Sequence, residues 1–222
     1  MKTLFTTTAL IASTLAGGAM AQTMATASTD LNIRSGPGVQ HEVTGVIPAG
    51  DEVAVAGCID SANWCEIGHD GASGWAYGDY LTAKLGDEVK PLYPNRQEIG
   101  VTVVETPVQN PQEGANTAVG GVGGAAIGAL VGGPAGAVAG AAIGGTAGNA
   151  ATPEPAPEVR TYITQNTVDN IYLEGEVVTG AGVPENVTLQ DIPDYPDYRY
   201  ARINGQDVLV EPNARQIVYI YR

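Results

Sequence analysis

The 222-residue chain carries 24 Asp or Glu against 10 Lys or Arg, a net charge of −14 at pH 7, and 44% of it is hydrophobic. So acidic a chain repels phosphate backbones and anionic headgroups, which excludes nucleic acid as a partner and leaves cationic ligands, neutral glycans or other proteins. The same excess also serves plain solubility.

From the N-terminus, Lys2 precedes an uncharged, mostly apolar run over residues 4–16, and Ala19-Met20-Ala21 supplies a small-x-small cleavage site. Residues 1–21 therefore read as a secretory signal peptide that leaves Gln22 at the new N-terminus. The apolar run is shorter than the roughly 18 residues a membrane span needs. Export to an oxidising compartment makes a disulfide between Cys58 and Cys65 the default. A zinc site would need four ligands, and only His69 lies near the two cysteines.

Residues 24–83 show short strand signals at close spacing. Leu31-Asn32-Ile33-Arg34 runs into Ser35-Gly36-Pro37-Gly38, residues 43–47 end at Pro48-Ala49-Gly50, and further strands read at 52–57, 64–67 and 74–77. Asp70-Gly71 marks a turn between the last two. Five short strands joined by Gly, Pro and Asp turns predict a small barrel, because closure removes exposed edges. Alternation sends Leu31 and Ile33 inward and Asn32 and Arg34 outward. Trp64 and Trp75 read as core packing. Tyr77, Asp79 and Tyr80, with Asn32 and Arg34, are the candidate ligand groove, since aromatic rings with a polar edge suit sugars and peptides.

These motifs resemble bacterial SH3-like (SH3b) domains. Residues 31–38 look like the opening motif, Ile47-Pro48-Ala49-Gly50-Asp51 matches the central strand and turn, and Gly74-Trp75-Ala76-Tyr77-Gly78-Asp79-Tyr80-Leu81 looks like the closing motif. The resemblance implies a half-open β-barrel and a frequent role in binding cell-wall peptides or glycans, often beside a hydrolase domain.

Residues 84–113 turn charged, then Pro- and Gln-rich, and read as a linker. In the charge-free stretch 114–151, glycine recurs at every fourth position: Gly120, Gly124, Gly128, Gly132, Gly136, Gly140, Gly144 and Gly148. On a helix this spacing lines one face with missing side chains, so that another backbone can approach closely. Glycine costs a helix about 1 kcal/mol each relative to alanine, which only close packing or a non-aqueous medium offsets. Pro134 breaks the run and predicts a helical hairpin with arms at 117–131 and 135–149. The pattern resembles the glycine zippers of bacterial envelope proteins. Membrane contact or a homo-oligomer through this hairpin is the leading expectation; a flexible Gly/Ala linker and a single unbroken span remain open.

A Pro-rich linker covers 152–159, and residues 160–222 return to alternation. Asn204-Gly205 between two apolar runs is a strong hairpin signal. Residues 176–179 read as a strand, and a last strand over 216–222 places Ile217, Tyr219 and Tyr221 on one face. A small antiparallel β domain follows. Asp191, Asp194 and Asp197 invite a calcium reading, which Pro193, Pro196 and the missing loop glycine oppose. Gly175-Glu176-Val177-Val178-Thr179-Gly180, residues 191–200, Asn204-Gly205 and Ile217-Val218-Tyr219 resemble an uncharacterised domain, DUF1236, of exported alphaproteobacterial proteins. That resemblance implies no known activity.

No nucleophile elbow, phosphate loop or HExxH pattern is present, and no cofactor motif. The fold class expected is mainly β: an SH3-like barrel, a glycine-zipper insert and a small C-terminal β domain. The function expected is a non-catalytic exported protein of the periplasm or cell envelope, outer-membrane association included, that binds peptidoglycan or an envelope protein. A structural assembly protein and a targeting subunit of a wall hydrolase are the alternatives.

Overall fold

The computed structural model describes residues 22–105 and 154–222. The expected signal peptide and the whole glycine-zipper stretch lie outside these residues. Among those described, no helix is long and apolar enough to cross a membrane.

The N-terminal part is a curled sheet built from β1 (Thr23–Ala27), β2 (Leu31–Arg34), β3 (Val43–Ile47), β4 (Glu52–Cys58), β5 (Trp64–His69), β6 (Ala72–Tyr77), β7 (Leu81–Leu85) and β8 (Glu88–Pro91). Its strand order is β3-β2-β6-β5-β4-β1-β7-β8. β5 and β6 form the hairpin that Asp70-Gly71 announced, with φ of 50° and 81° at the turn and His69 opposite Ala72. Positive φ at both turn residues gives the twist that flanking strands require.

β2 meets β6 through the single pair Arg34 and Trp75. Gly74 permits that crossing, because a Cβ there would lie 2.8 Å from the carbonyl oxygen of Arg34 and 2.5 Å from Ile33 Cγ2. The core holds Leu31, Ile33, Ile47, Val53, Val55, Ile67 and Leu81, all nearly inaccessible. Trp64 and Trp75 are buried with Ile59 in a cluster of their own.

Cys58 and Cys65 face each other across β4 and β5 and form a disulfide. In the chain-entropy account, a loop this short contributes about 2.5 kcal/mol. Replacing both cysteines by alanine is expected to lower the unfolding free energy in urea by about that amount. A change below about 0.5 kcal/mol would mean the unfolded chain gains nothing from losing the link.

The barrel extends past residue 83. β8 pairs with β7, a helical turn α1 (Arg96–Ile99) follows, and residues 101–104 run along β4, with Cys58 N–H donating to Thr102 O and Val104 N–H to Cys58 O. Leu92 and Tyr93 are buried, and the Tyr93 hydroxyl donates to Ile59 O at 2.9 Å. The first part of the expected linker 84–113 is thus folded onto the barrel. Its apolar anchors, Leu92, Tyr93 and Val101, stand too far apart for a periodic signal.

The C-terminal part opens with α2 (Pro157–Gln165), which starts inside the expected Pro-rich linker. Pro157 suits a first helical position, where its missing N–H is no loss. Val159 and Ile163 bury against the sheet. That sheet runs β10 (Gln190–Asp191), β11 (Arg199–Ile203), β12 (Gln206–Glu211), β13 (Gln216–Tyr221), with β9 (Asn170–Ile171) parallel to β11. The predicted hairpin is present, with Asn204 at φ 51° and Gly205 at φ 83°.

Two expectations fail here. Residues 176–179 form no strand; they lie between Gly175 and Gly180, both at positive φ, and the Glu176 carboxylate turns toward the barrel. Ile217 does not share a face with Tyr219 and Tyr221. A register shift at Leu209 and Val210 buries Ile217 and Ile220 instead, leaving Tyr219 and Tyr221 to stack edge to face at 4.9 Å.

Candidate functional site

The sequence places Asn32 and Arg34 on the outer face of β2, yet every residue of that strand is buried. The side that leaves the barrel is covered by the C-terminal domain. Arg34 Nε donates to Glu176 Oε2 at 2.5 Å and Arg34 Nη2 to Glu176 Oε1 at 2.6 Å, a two-pronged match of guanidinium to carboxylate. The side chains are 1% and 0% exposed. The remaining prong, Nη1, donates to Val39 O and His41 O at 3.0 and 2.7 Å.

Around this pair the polar groups are matched. Asn32 Nδ2 donates to Glu176 Oε1 at 3.1 Å and to Gln206 Oε1 at 2.7 Å. Val177 N–H donates to Glu176 Oε1 at 2.8 Å. Arg222 Nε donates to Asn32 Oδ1 at 3.3 Å. Asn204 braces the loop that presents Glu176, accepting from Leu173 N–H and donating to Gly175 O. A charge removed from water this completely needs such partners, because desolvating an unpaired ion costs several kcal/mol.

The other candidate residues lie at the end of β6. Tyr80, in the 3₁₀ turn Gly78–Tyr80, is only 2% exposed and belongs to the core. Its phenol is pushed up to about 12, by burial first and then by Asp79 and Glu176. Tyr77 is half-buried, 6.0 Å from the Tyr80 ring and 5.4 Å from Trp64 in an edge contact. Burial, followed by Asp79, Tyr80 and Glu174, raises the Tyr77 phenol well above its ordinary value. Asp79 accepts from Asn63 Nδ2 at 2.7 Å; burial raises its carboxyl and that hydrogen bond partly offsets the rise.

The structure therefore brings Tyr77, Asp79 and Tyr80 together and sets Asn32 and Arg34 apart as a separate buried cluster. Glu176 faces both regions, pairing with Arg34 and acting on Tyr80, while Glu174, two residues earlier on the same loop, acts on Tyr77. Sequence reasoning missed Glu176, Gln206 and Arg222 as partners. One signal was available: Arg34 is the only Lys or Arg between residues 24 and 83.

Elsewhere, a cavity of about 240 Å³ is lined by Asp191, Asp194, Pro196, Tyr198 and Arg199. Asp191 there pairs with Arg199 Nε at 2.8 Å, and among the described residues no group of three or more potential ligands could hold a metal ion.

A curled sheet in which β2 meets β6, with a second β module on its outer face, defines a two-domain β protein. The bacterial SH3 domain matches residues 29–82, and the domain of unknown function DUF1236 matches residues 162–222. The chain thus contains both domains. It is also similar to a protein of Bacillus subtilis (strain 168) named "Putative N-acetylmuramoyl-L-alanine amidase YrvJ", 37% identical over 73 residues. That stretch is 32% of this chain and 13% of the Bacillus protein, so the chain spans a small part of its relative's length.

Proposed function

We propose that this is a non-catalytic cell-envelope protein whose SH3 domain binds a cell-wall component or an envelope partner at the surface of Tyr77 and Asp79. The observation that carries this reading is the SH3 domain itself, non-catalytic in type, in a chain that shares a 73-residue stretch with the Bacillus protein named "Putative N-acetylmuramoyl-L-alanine amidase YrvJ". Tyr77 offers a half-buried ring with Asp79 beside it, the combination of apolar face and polar edge that sugars and peptides use. Tyr80 supports that ring from the core. In the same reading the glycine-rich segment 114–151 mediates membrane association or self-assembly between the two folded parts, and residues 1–21 are the signal peptide.

The test is retention of the full chain on purified peptidoglycan. Tyr77→Ala is expected to lower the affinity about tenfold, equivalent to about 1.4 kcal/mol, with Asp79→Asn lowering it less. Retention by both variants equal to that of the parent would overturn the assigned surface. The burial of Asn32 and Arg34 favours a second reading, in which the barrel serves internal assembly and takes no wall ligand. Absence of retention by the parent chain would select it.

A further inference from the structure

We propose that the Asn32–Arg34 face of the barrel is a carboxylate-binding socket, and that the DUF1236 domain occupies it with Glu176 as a ligand supplied by the chain itself. This is independent of wall binding at Tyr77.

Three features set the socket apart from an ordinary ion pair. The first is that the barrel's own backbone anchors one prong of the fork, while Asn204 O of the C-terminal domain takes only a long contact from Nη2, at 3.4 Å. Arg34 Nη1 is tied to Val39 O and His41 O, both in the loop that follows β2, so Nε and Nη2 point outward in a fixed plane. A planar fork held in this way is shaped for two oxygens of one anion, as a carboxylate presents them.

The second is donor count. Of the hydrogen bonds to the Glu176 carboxylate described above, those from Arg34 Nε, Arg34 Nη2 and Asn32 Nδ2 come from the barrel, and only Val177 N–H comes from the ligand's own backbone. An anionic ligand entering this face would find the same donors. The third is charge. Arg34 is the only Lys or Arg in residues 24–83, and it is 1% exposed. With the C-terminal domain in place, a cation desolvated this completely demands an anion beside it.

The occupying segment has the properties of a presented ligand. Glu176 sits in irregular backbone beside Gly175 at φ 87°, and Asn204 fastens that loop at Leu173 N–H and Gly175 O. The C-terminal domain thus stands to the SH3 barrel as a partner protein would, contributing one buried carboxylate to a matched socket. A peptide with a free side-chain carboxylate is the class of external ligand that would compete for it.

The test fills the socket with the smallest carboxylate. In the full chain, Glu176→Ala removes the equivalent of one acetate ion. Sodium acetate up to about 0.2 M is expected to raise the melting temperature of this variant by about 3 °C or more beyond its effect on the parent. Sodium chloride at equal ionic strength and the neutral isostere acetamide are expected to give no such gain. If Glu176→Ala does not fold alone, the same titration is read as acetate-dependent recovery of the folded circular dichroism signal. The double variant Arg34→Met with Glu176→Ala is expected to lose the acetate response in either format. An acetate effect no larger than that of chloride, an equal gain with acetamide, or a response that survives loss of Arg34 would each overturn the proposal.

Discussion

Replacing Arg34 by methionine is expected to cost the fold about 3–5 kcal/mol, while adding Glu176→Met is expected to restore most of that loss. The asymmetry follows from burial. With Arg34 gone, the Glu176 carboxylate keeps Asn32 Nδ2 and Val177 N–H as hydrogen-bond donors and Arg222 as a more distant cation, and it is 0% exposed. A carboxylate in that position carries its full desolvation penalty. With both residues changed to methionine, the site holds two flexible apolar side chains and no orphaned charge. The surviving polar group is Asn32, whose Nδ2 still donates to Gln206 and whose Oδ1 still accepts from Arg222. Since domains are stable by about 5–15 kcal/mol, the single change removes roughly a fifth or more of the whole. Urea denaturation of the parent, both single variants and the double variant gives the coupling energy directly. A single-variant cost below about 1 kcal/mol would place this pair among ordinary exposed ion pairs and contradict its burial.

What the sequence made legible was local. The turns at Asp70-Gly71 and Asn204-Gly205 follow from the need for positive φ, which both structural turns satisfy. The inward set of β2, the two buried tryptophans and the disulfide follow from alternation, residue size and compartment. What escaped was everything that depends on one segment meeting another far along the chain. Alternation correctly separated Asn32 and Arg34 from the core side of β2, but it cannot say what lies on the other side, and that face is covered by residues more than 140 positions away. Residues 176–179 carry a β-branched pattern, yet the demands of the Glu176 socket override it. The bulge at Leu209 and Val210 exchanges Tyr219 for Ile220 in the core, a one-residue shift that no period-two reading can foresee. The candidate site divides in the same way. Tyr77, Asp79 and Tyr80 were found together because they are neighbours in sequence, whereas the partners of Arg34 were invisible.

The chain is expected to unfold in one calorimetric transition, although its sequence reads as two small modules joined by a long insert. One contiguous apolar cluster contains Leu31, Ile47 and Leu81 from the barrel together with Val177, Ile203 and Ile217 from the C-terminal domain. Separating the domains would therefore expose apolar surface and strip the Arg34–Glu176 cluster of its partners in the same event. Size argues in the same direction. A domain of about 60 residues buries roughly 60% of its chain surface, while one of about 150 residues buries close to 70%, so each half gains from joining the other. At about 0.7 kcal/mol per residue near 60 °C, some 150 cooperating residues give an unfolding enthalpy of roughly 100 kcal/mol. Two independent modules would each give about half of that. The deciding quantity is the ratio of the calorimetric to the van't Hoff enthalpy. A ratio near 1 matches a single unit; a ratio near 2, or two resolved peaks, would mean that the interface formed by Asn32, Arg34, Glu176 and Gln206 does not hold the domains together through the transition.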